Sequence, residues 1–213
     1  MQIQTPPEIP LTEARDRLVA AALDQFTRSG YAATSVRELC EAAGVTKPVL
    51  YYYFKSKEGL YLEIMNGVGQ LFDQRVAELS CSSGSVRQRL IHFFTGMFDG
   101  ACDNLAVVKL AYMIYFGPPQ GAPFVDFNRF FDQTLVIVES LIAEGITQGE
   151  IVECDRKVLT WALVGCSQTI QEEQICRSEA RIDRAGLVAA INLILDGVDA
   201  GVLRGECTRS SGI

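Results

Sequence analysis

Three lysines and three tyrosines crowd into the eleven residues from Lys47 to Lys57. Lys47, Lys55 and Lys57 carry the only charges between Ala42 and Lys57, so this stretch is locally +3 in a chain whose formal total is −7. An ammonium is a compact donor for phosphate oxygens, and a phenol adds an O–H donor to a flat apolar ring. Tyr51, Tyr52 and Tyr53 beside those lysines therefore suit hydrogen bonding to an extended polyanion. An aromatic run more often packs a core, and Leu50, Phe54 and one of the three rings are assigned there. Other chemistries find little purchase. There is no Gly-rich phosphate loop and no nucleophile elbow, and His92 is the single histidine, which argues against an enzyme. The cysteines, Cys40, Cys81, Cys102, Cys154, Cys166, Cys176 and Cys207, number seven, an odd count, and include no CxxC pair. They read as small apolar residues of a reduced protein, with no metal site and no cofactor expected.

Such donors need a rigid platform, and the stretch from Thr34 to Lys57, TSVRELCEAAGVTKPVLYYYFKSK, spells one. Ser35 with Glu38 three residues on is a capping box, so a helix starts there. Val36, Leu39, Cys40 and Ala43 keep one face apolar, and Gly44 ends the helix in the left-handed conformation glycine tolerates. Thr46 can cap a second, short helix over Lys47–Tyr53, and Pro48 is tolerated because the first turn has no internal N–H bond to lose. Two helices around a glycine-containing turn make a helix-turn-helix, whose second helix enters a DNA major groove.

The residues from Leu18 to Tyr61 closely resemble the amino-terminal domain of the TetR family of transcriptional regulators. An apolar first helix ending in Phe26 is followed by GYAATSVRELCEAAGVTKPVLYYYFKSKEGLY. The pattern departs from the family's at Pro48, where glycine or another small residue is common, and at Tyr52, often histidine. The resemblance implies an all-α fold, with an N-terminal three-helix helix-turn-helix DNA-binding domain and a C-terminal helical domain for ligand binding and dimerisation. It also implies phosphate contacts from Thr34, Ser35, Tyr51 or Tyr52, and Lys57, and base contacts from Thr46, Lys47 and Pro48, with Arg37 beside them.

Charge distribution agrees with a protein that touches DNA at one end. Residues 1–61 hold seven Lys/Arg and seven Asp/Glu, while residues 62–213 hold twelve and nineteen, so all the excess acid lies beyond the head. A basic tip on an acidic body predicts salt-sensitive contact at that tip rather than a broad basic surface. No apolar run approaches the ~20 residues that span a bilayer, and the start, MQIQTPPEIP, lacks a signal peptide's apolar stretch. A cytoplasmic location, without membrane partners, is the family's implication.

The expected organisation is a tail over 1–11, the DNA-binding domain over 12–61, an effector-binding and dimerisation domain over 62–205 and a second tail over 206–213. Helices are predicted over Thr12–Ser29, Ser56–Leu79, a capped segment opening at Ser85, Asn104–Phe116, Ala122–Gln148, Asp155–Cys176 and Asp183–Leu203. Taken singly, the rings and methionines of the body are ordinary core residues. Their density, with polar groups among them, fits the effector pocket that the resemblance implies, lined by Phe93, Met97, Tyr112, Phe116, Phe127, Phe131, Trp161 and Gln168. Leu187, Ile191, Ile194, Leu195 and Val198 give the last helix a broad apolar band, which either packs inside the monomer or meets its own copy. The family pairs its last two helices into a four-helix homodimer interface.

Together these observations predict a ligand-responsive regulator: a homodimer on a palindromic double-stranded operator, released by a small, mostly apolar effector. Repression is the family's majority habit. The competing expectation is a cysteine-based redox-responsive regulator with no organic ligand, which requires an exposed thiol beside a basic group.

Overall fold

Caps decide where the helices begin, and apolar spacing decides which faces they bury. The computed structural model describes residues 11–80, 82–117 and 121–198, and the architecture among them is all-α. In chain order the helices are α1 (Leu11–Ser29), α2 (Val36–Ala43), α3 (Lys47–Phe54), α4 (Lys57–Ser80) and α5 (Val86–Asp103). They continue as α6 (Leu105–Phe116), α7 (Asn128–Gln148), α8 (Arg156–Cys176) and α9 (Arg184–Asp196). Both capping boxes form: the Ser35 hydroxyl accepts from the Glu38 N–H, and that of Ser85 from the Gln88 N–H, with each N3 side chain returning to the cap backbone. Asp155 and Asp183 cap α8 and α9 through their carboxylates.

The chain divides into two compact units, residues 1–68 with 106–125, and residues 69–105 with 126–213. In the first, Leu18, Ala22 and Phe26 run along one face of α1 and are fully buried, as are Leu39, Leu50 and Leu60. Phe26, Tyr31 and Tyr61 close this core as a ring cluster with centroids 5.1 to 6.1 Å apart. In the second unit, Leu90, Phe93 and Phe94 of α5 pack in one cluster with Val138 and Ile142 of α7, Leu163 and Val164 of α8, and Leu187, Ile191 and Leu195 of α9. α4 runs unbroken through residue 61, where the sequence placed a domain boundary, and its residues divide between the units at 68/69.

Two helices differ from their predicted bounds by more than a residue at one end. α7 starts at Asn128 rather than Ala122; Pro123 disfavours the helical region for Ala122 before it, and residues 122–127 form no helix. The Asp126 carboxylate, one residue ahead of the N-cap Phe127, accepts from the Arg129 N–H at 3.3 Å. α9 ends at Asp196 rather than Leu203, where the backbone turns and the Val198 carbonyl accepts from the Val152 N–H at 2.9 Å. Most of the tail expected over 1–11, the whole of that over 206–213, Cys81 and Cys207 lie outside the described residues.

Three of the five residues expected at the interface are buried inside the monomer. Leu187, Ile191 and Leu195 are 0 to 2% exposed inside the second unit's own core, and Ile194 and Val198 pack against it half-buried. Fully burying a side chain of this kind stabilises by about 1.5–3 kcal/mol, so Leu187, Ile191 and Leu195 are used within the monomer. Of the apolar residues of α9 it is Leu193, two residues from both Ile191 and Leu195 and so on the opposite face, that stands 76% exposed.

Candidate nucleic-acid interface

The helix-turn-helix is assembled from three local devices. α2 is anchored by the Ser35–Glu38 box, with the Ser35 N–H 2.7 Å from Glu38 Oε2, and this backbone hydrogen bond is the first cause of that carboxyl's lowered pKa. Gly44, at φ 62°, ends α2 in the left-handed region, and the Val45 N–H then returns to the Cys40 carbonyl at 3.0 Å. Thr46 takes the extended conformation of an N-cap, although its side chain makes no capping hydrogen bond, and Pro48 sits in the first turn of α3.

α3 then presents two faces. Leu50 and Phe54 are buried against the rest of the unit, while Thr46, Lys47, Pro48, Tyr51, Tyr52 and Lys55 are exposed. Tyr51 and Tyr52 stand 47% and 66% exposed, with apolar ring surface a lone monomer would ordinarily bury. Tyr53 is half-buried, its ring edge-on to that of Tyr52 at 5.0 Å. Arg37 on α2 is exposed as well, held to Glu41 one turn on at 3.1 Å. An exposed pair of this kind contributes little and leaves the guanidinium free to exchange partners.

Two expected phosphate contacts are engaged internally. Thr34 is 2% exposed and its hydroxyl donates to the Gly30 carbonyl at 2.9 Å, so its side chain is turned into the α1–α2 connection. Lys57 donates through Nζ to the carbonyls of Tyr31 at 2.9 Å and Thr34 at 2.8 Å, with the ammonium 4.1 Å from the Tyr31 ring centroid. Burial lowers its pKa. Spacing in the sequence could not show the Lys57 contacts, because they depend on the start of α4 folding back over the α1–α2 turn, whereas the Thr34 bond is local, to a carbonyl four residues earlier.

The junction between α3 and α4 carries a feature that the sequence gives no sign of. The Ser56 N–H bonds the Phe54 carbonyl at 2.7 Å, and Lys55 between them has φ 65° and ψ −32°. This is a γ-turn of the rare positive-φ kind, centred on the one non-glycine residue with positive φ among those described. Left-handed backbone costs a residue with a Cβ roughly 1–2 kcal/mol. The turn is pinned from the α4 side: Gly59 lies against the Phe54 carbonyl with no room for a Cβ, and its N–H donates to Ser56 Oγ at 2.9 Å.

Residues 18–64 match the sequence profile described as bacterial regulatory proteins, tetR family. Over 87% of its length and 93% of that protein's, the chain is 25% identical to the uncharacterized HTH-type transcriptional regulator YdgC of Bacillus subtilis (strain 168). A transcriptional regulator of the TetR/AcrR family from Thermobifida fusca YX-ER1 shares the fold at TM-score 0.61 and 26% identity, covering 86% of this chain and 97% of that one. The chain is a TetR family transcriptional regulator. A further relative, the HTH-type transcriptional activator FasR of Mycolicibacterium smegmatis, is 35% identical over 91 residues, 43% of this regulator and less than half (42%) of FasR. The regulator thus belongs to a family of DNA-binding proteins, not of enzymes.

The residues expected to line an effector pocket of this TetR family regulator are divided by the structure. Phe93 is 2% exposed in the second unit's core, with Met97 and Phe131 packed against that core. Phe127 and Gln168 are half-buried in the same unit, while Tyr112 and Phe116 belong to the first unit, where Phe116 is largely exposed. Trp161 is exposed too, its ring 5.6 Å from that of Phe131. α8 buries Leu159, Leu163 and Val164, and Trp161, two residues from Leu159, falls on the other side of the helix. Trp161 and Phe116 therefore offer surface rather than pocket lining. Among the described cysteines, burial raises the pKa of the Cys40, Cys102, Cys154 and Cys166 thiols. Asp99 and Asp103 add to this at Cys102, and Glu153 and Asp155 at Cys154, so neighbouring charge opposes the thiolate that a redox switch needs.

Proposed function

We propose that a homodimer of this regulator binds a palindromic operator through α3 of each subunit and represses transcription there until a small, mostly apolar effector releases it. The observation that carries the reading is the outer face of α3, where Thr46, Lys47, Pro48, Tyr51 and Tyr52 all stand exposed on a helix whose other face is anchored by Leu50 and Phe54. Ser35 and Arg37 flank that face from α2. A single eight-residue helix reads few base pairs. Pairing supplies affinity, with half-sites about 34–36 Å apart or a multiple of it.

For the pairing we assign the apolar surface that the second unit leaves open. Val158 and Trp161 on α8 and Leu193 on α9 are each more than half exposed, and they replace Leu187, Ile191 and Leu195 as the residues that meet a second copy. Repeating three exposed apolar residues across a two-fold axis doubles the surface withdrawn from water. Met97 and Phe131, half-buried against the second unit's core, and Phe127 and Gln168, half-buried in the same unit, remain the effector-facing candidates. An effector shifts DNA affinity only by its differential affinity for the two arrangements of the dimer, typically ~1–3 kcal/mol. Among the described residues no helix is long and apolar enough to cross a membrane, and we place the protein in the cytoplasm, with its DNA.

The test begins with selection of bound duplexes from random DNA. Lys47→Ala combined with Tyr51→Ala should weaken binding to the selected duplex at least ~100-fold, since each lost contact costs ~1–3 kcal/mol in each subunit. The dimer mass should be unchanged in light scattering. Undiminished affinity would rule out α3 as the reading helix. A reporter driven from the selected operator decides the direction, and activation, the sense in FasR's name, would overturn repression.

A further inference from the structure

We infer that Lys55 is a phosphate-binding residue whose ammonium is aimed at the DNA backbone by the strained turn that carries it, an inference that rests on α3 being the DNA-reading helix. By position it continues a row: Lys47, Tyr51 and Lys55 follow at intervals of four, and all three are exposed. The Lys55 N–H donates to the Tyr51 carbonyl at 3.1 Å, so its backbone is still held by the last turn of α3. Its ammonium joins no ion pair or hydrogen bond among the described residues, in contrast to Lys57 two residues on, whose Nζ is bound by two carbonyls.

Strain separates this lysine from an ordinary solvated one. The γ-turn at φ 65° is imposed from both sides, by the Phe54 carbonyl accepting from Ser56 and by Gly59 packed against that same carbonyl. Glycine would adopt this geometry without penalty and would satisfy every backbone hydrogen bond of the junction. The turn therefore explains the positive φ but not the lysine. A side chain kept in an unfavourable backbone well must contribute something that glycine lacks, and what an exposed, unpaired ammonium at the end of a DNA-reading helix contributes is a point charge for a phosphate. A sequence-independent contact at the end of α3 would hold the helix in register along the groove, while Thr46, Lys47 and Pro48 at its start meet the bases.

The experiment compares Lys55→Gly, Lys55→Arg and Lys47→Ala in the full-length protein, on one duplex selected from random DNA with the wild type. Lys55→Gly should raise the melting temperature and at the same time weaken binding about 5- to 50-fold. It should also make the slope of log K against log salt shallower by about two for the dimer, one phosphate contact per subunit. Lys55→Arg, which keeps both the charge and the strained backbone, should retain the wild-type slope. A stabilised Lys55→Gly with unchanged affinity and slope would show the turn to be purely structural and overturn the proposal. Weakened binding with an unchanged slope would overturn it also, since the lost contact would not be to phosphate. Lys47→Ala tells the two readings apart. If it weakens binding and Lys55→Gly does not, only the assignment of Lys55 falls; if neither has an effect, the reading of α3 falls with it.

Discussion

Replacing Lys57 with methionine tests whether the start of α4 is clamped to the α1–α2 turn as the geometry states. The ammonium donates to two carbonyls at 2.9 and 2.8 Å and lies 4.1 Å from the Tyr31 ring centroid. Hydrogen bonds to a charged group contribute about 1.5–3 kcal/mol each, and the lower end applies because the side chain is half-buried. The cation–π contact adds ~0.5–1 kcal/mol. Against that gross of roughly 3.5–4 kcal/mol stands the ammonium's desolvation, visible in its lowered pKa, together with the apolar contacts that a methionine stem would keep. The net is about 2 kcal/mol, most of it the Thr34 carbonyl left without its donor, since the Tyr31 carbonyl still accepts from the Thr34 N–H at 3.3 Å. Two kcal/mol is roughly a 30-fold rise in local opening at ~1.4 kcal/mol per decade, readable by hydrogen exchange and mass spectrometry in peptides covering residues 26–61. Trp161, the only tryptophan, lies in the second unit, so its emission follows that unit's urea transition in the same samples. Protection within ~3-fold of wild type in residues 26–61 would refute the clamp. Unchanged protection with a shallower salt slope in DNA binding would instead make Lys57 the phosphate contact that the family resemblance implies.

Two other perturbations probe the second unit. Leu193→Glu, on the exposed face of α9, should yield a folded monomer in light scattering, whereas Leu195→Glu should unfold the unit, because Leu195 is 2% exposed in its core. A dimer mass retained by Leu193→Glu would move the interface elsewhere. Glu173 is held down to about 2, chiefly by the Arg181 guanidinium, which donates to its two oxygens at 2.8 and 2.9 Å, with Arg177 at 3.1 Å adding to it. Its folded-state value lies below the ordinary 4.5, so its contribution is complete above about pH 4.5 and is lost as pH falls through about 2. Carboxyl carbon chemical shifts followed by NMR should show Glu173 titrating near 2, and a midpoint near 4.5 would mean that the Arg181 contacts do not persist in solution.

The parts of the fold that were legible in the sequence are those set by contacts a few residues apart. The Ser35 and Ser85 capping boxes, the Gly44 stop and the Asp155 and Asp183 caps all satisfy backbone groups within one turn of themselves, and residue type at fixed spacing was enough to place them. The start of α7 was missed: the periodicity of Phe124, Phe127 and Phe131 reads as helix, whereas the helix begins at Asn128, with Asp126 accepting from the Arg129 N–H in its first turn. Phe124, assigned to that helix, stands 87% exposed ahead of it.

The sequence by itself determined that a capped helix, a glycine turn and a short lysine- and tyrosine-rich helix occur in that order, because each feature is a local agreement of backbone need and residue type. Only the tertiary structure decided which side chains remain outside. Thr34 and Lys57 read as donors for phosphate, and their partners proved to be the Gly30, Tyr31 and Thr34 carbonyls, up to 26 residues away. Leu187, Ile191 and Leu195 read as a band that either packs inside the monomer or meets its own copy, and they lie in the core, with Leu193 and Trp161 outside. Spacing along one helix shows that it has an apolar face. What covers that face, and which charge is already held, depends on elements distant in the chain.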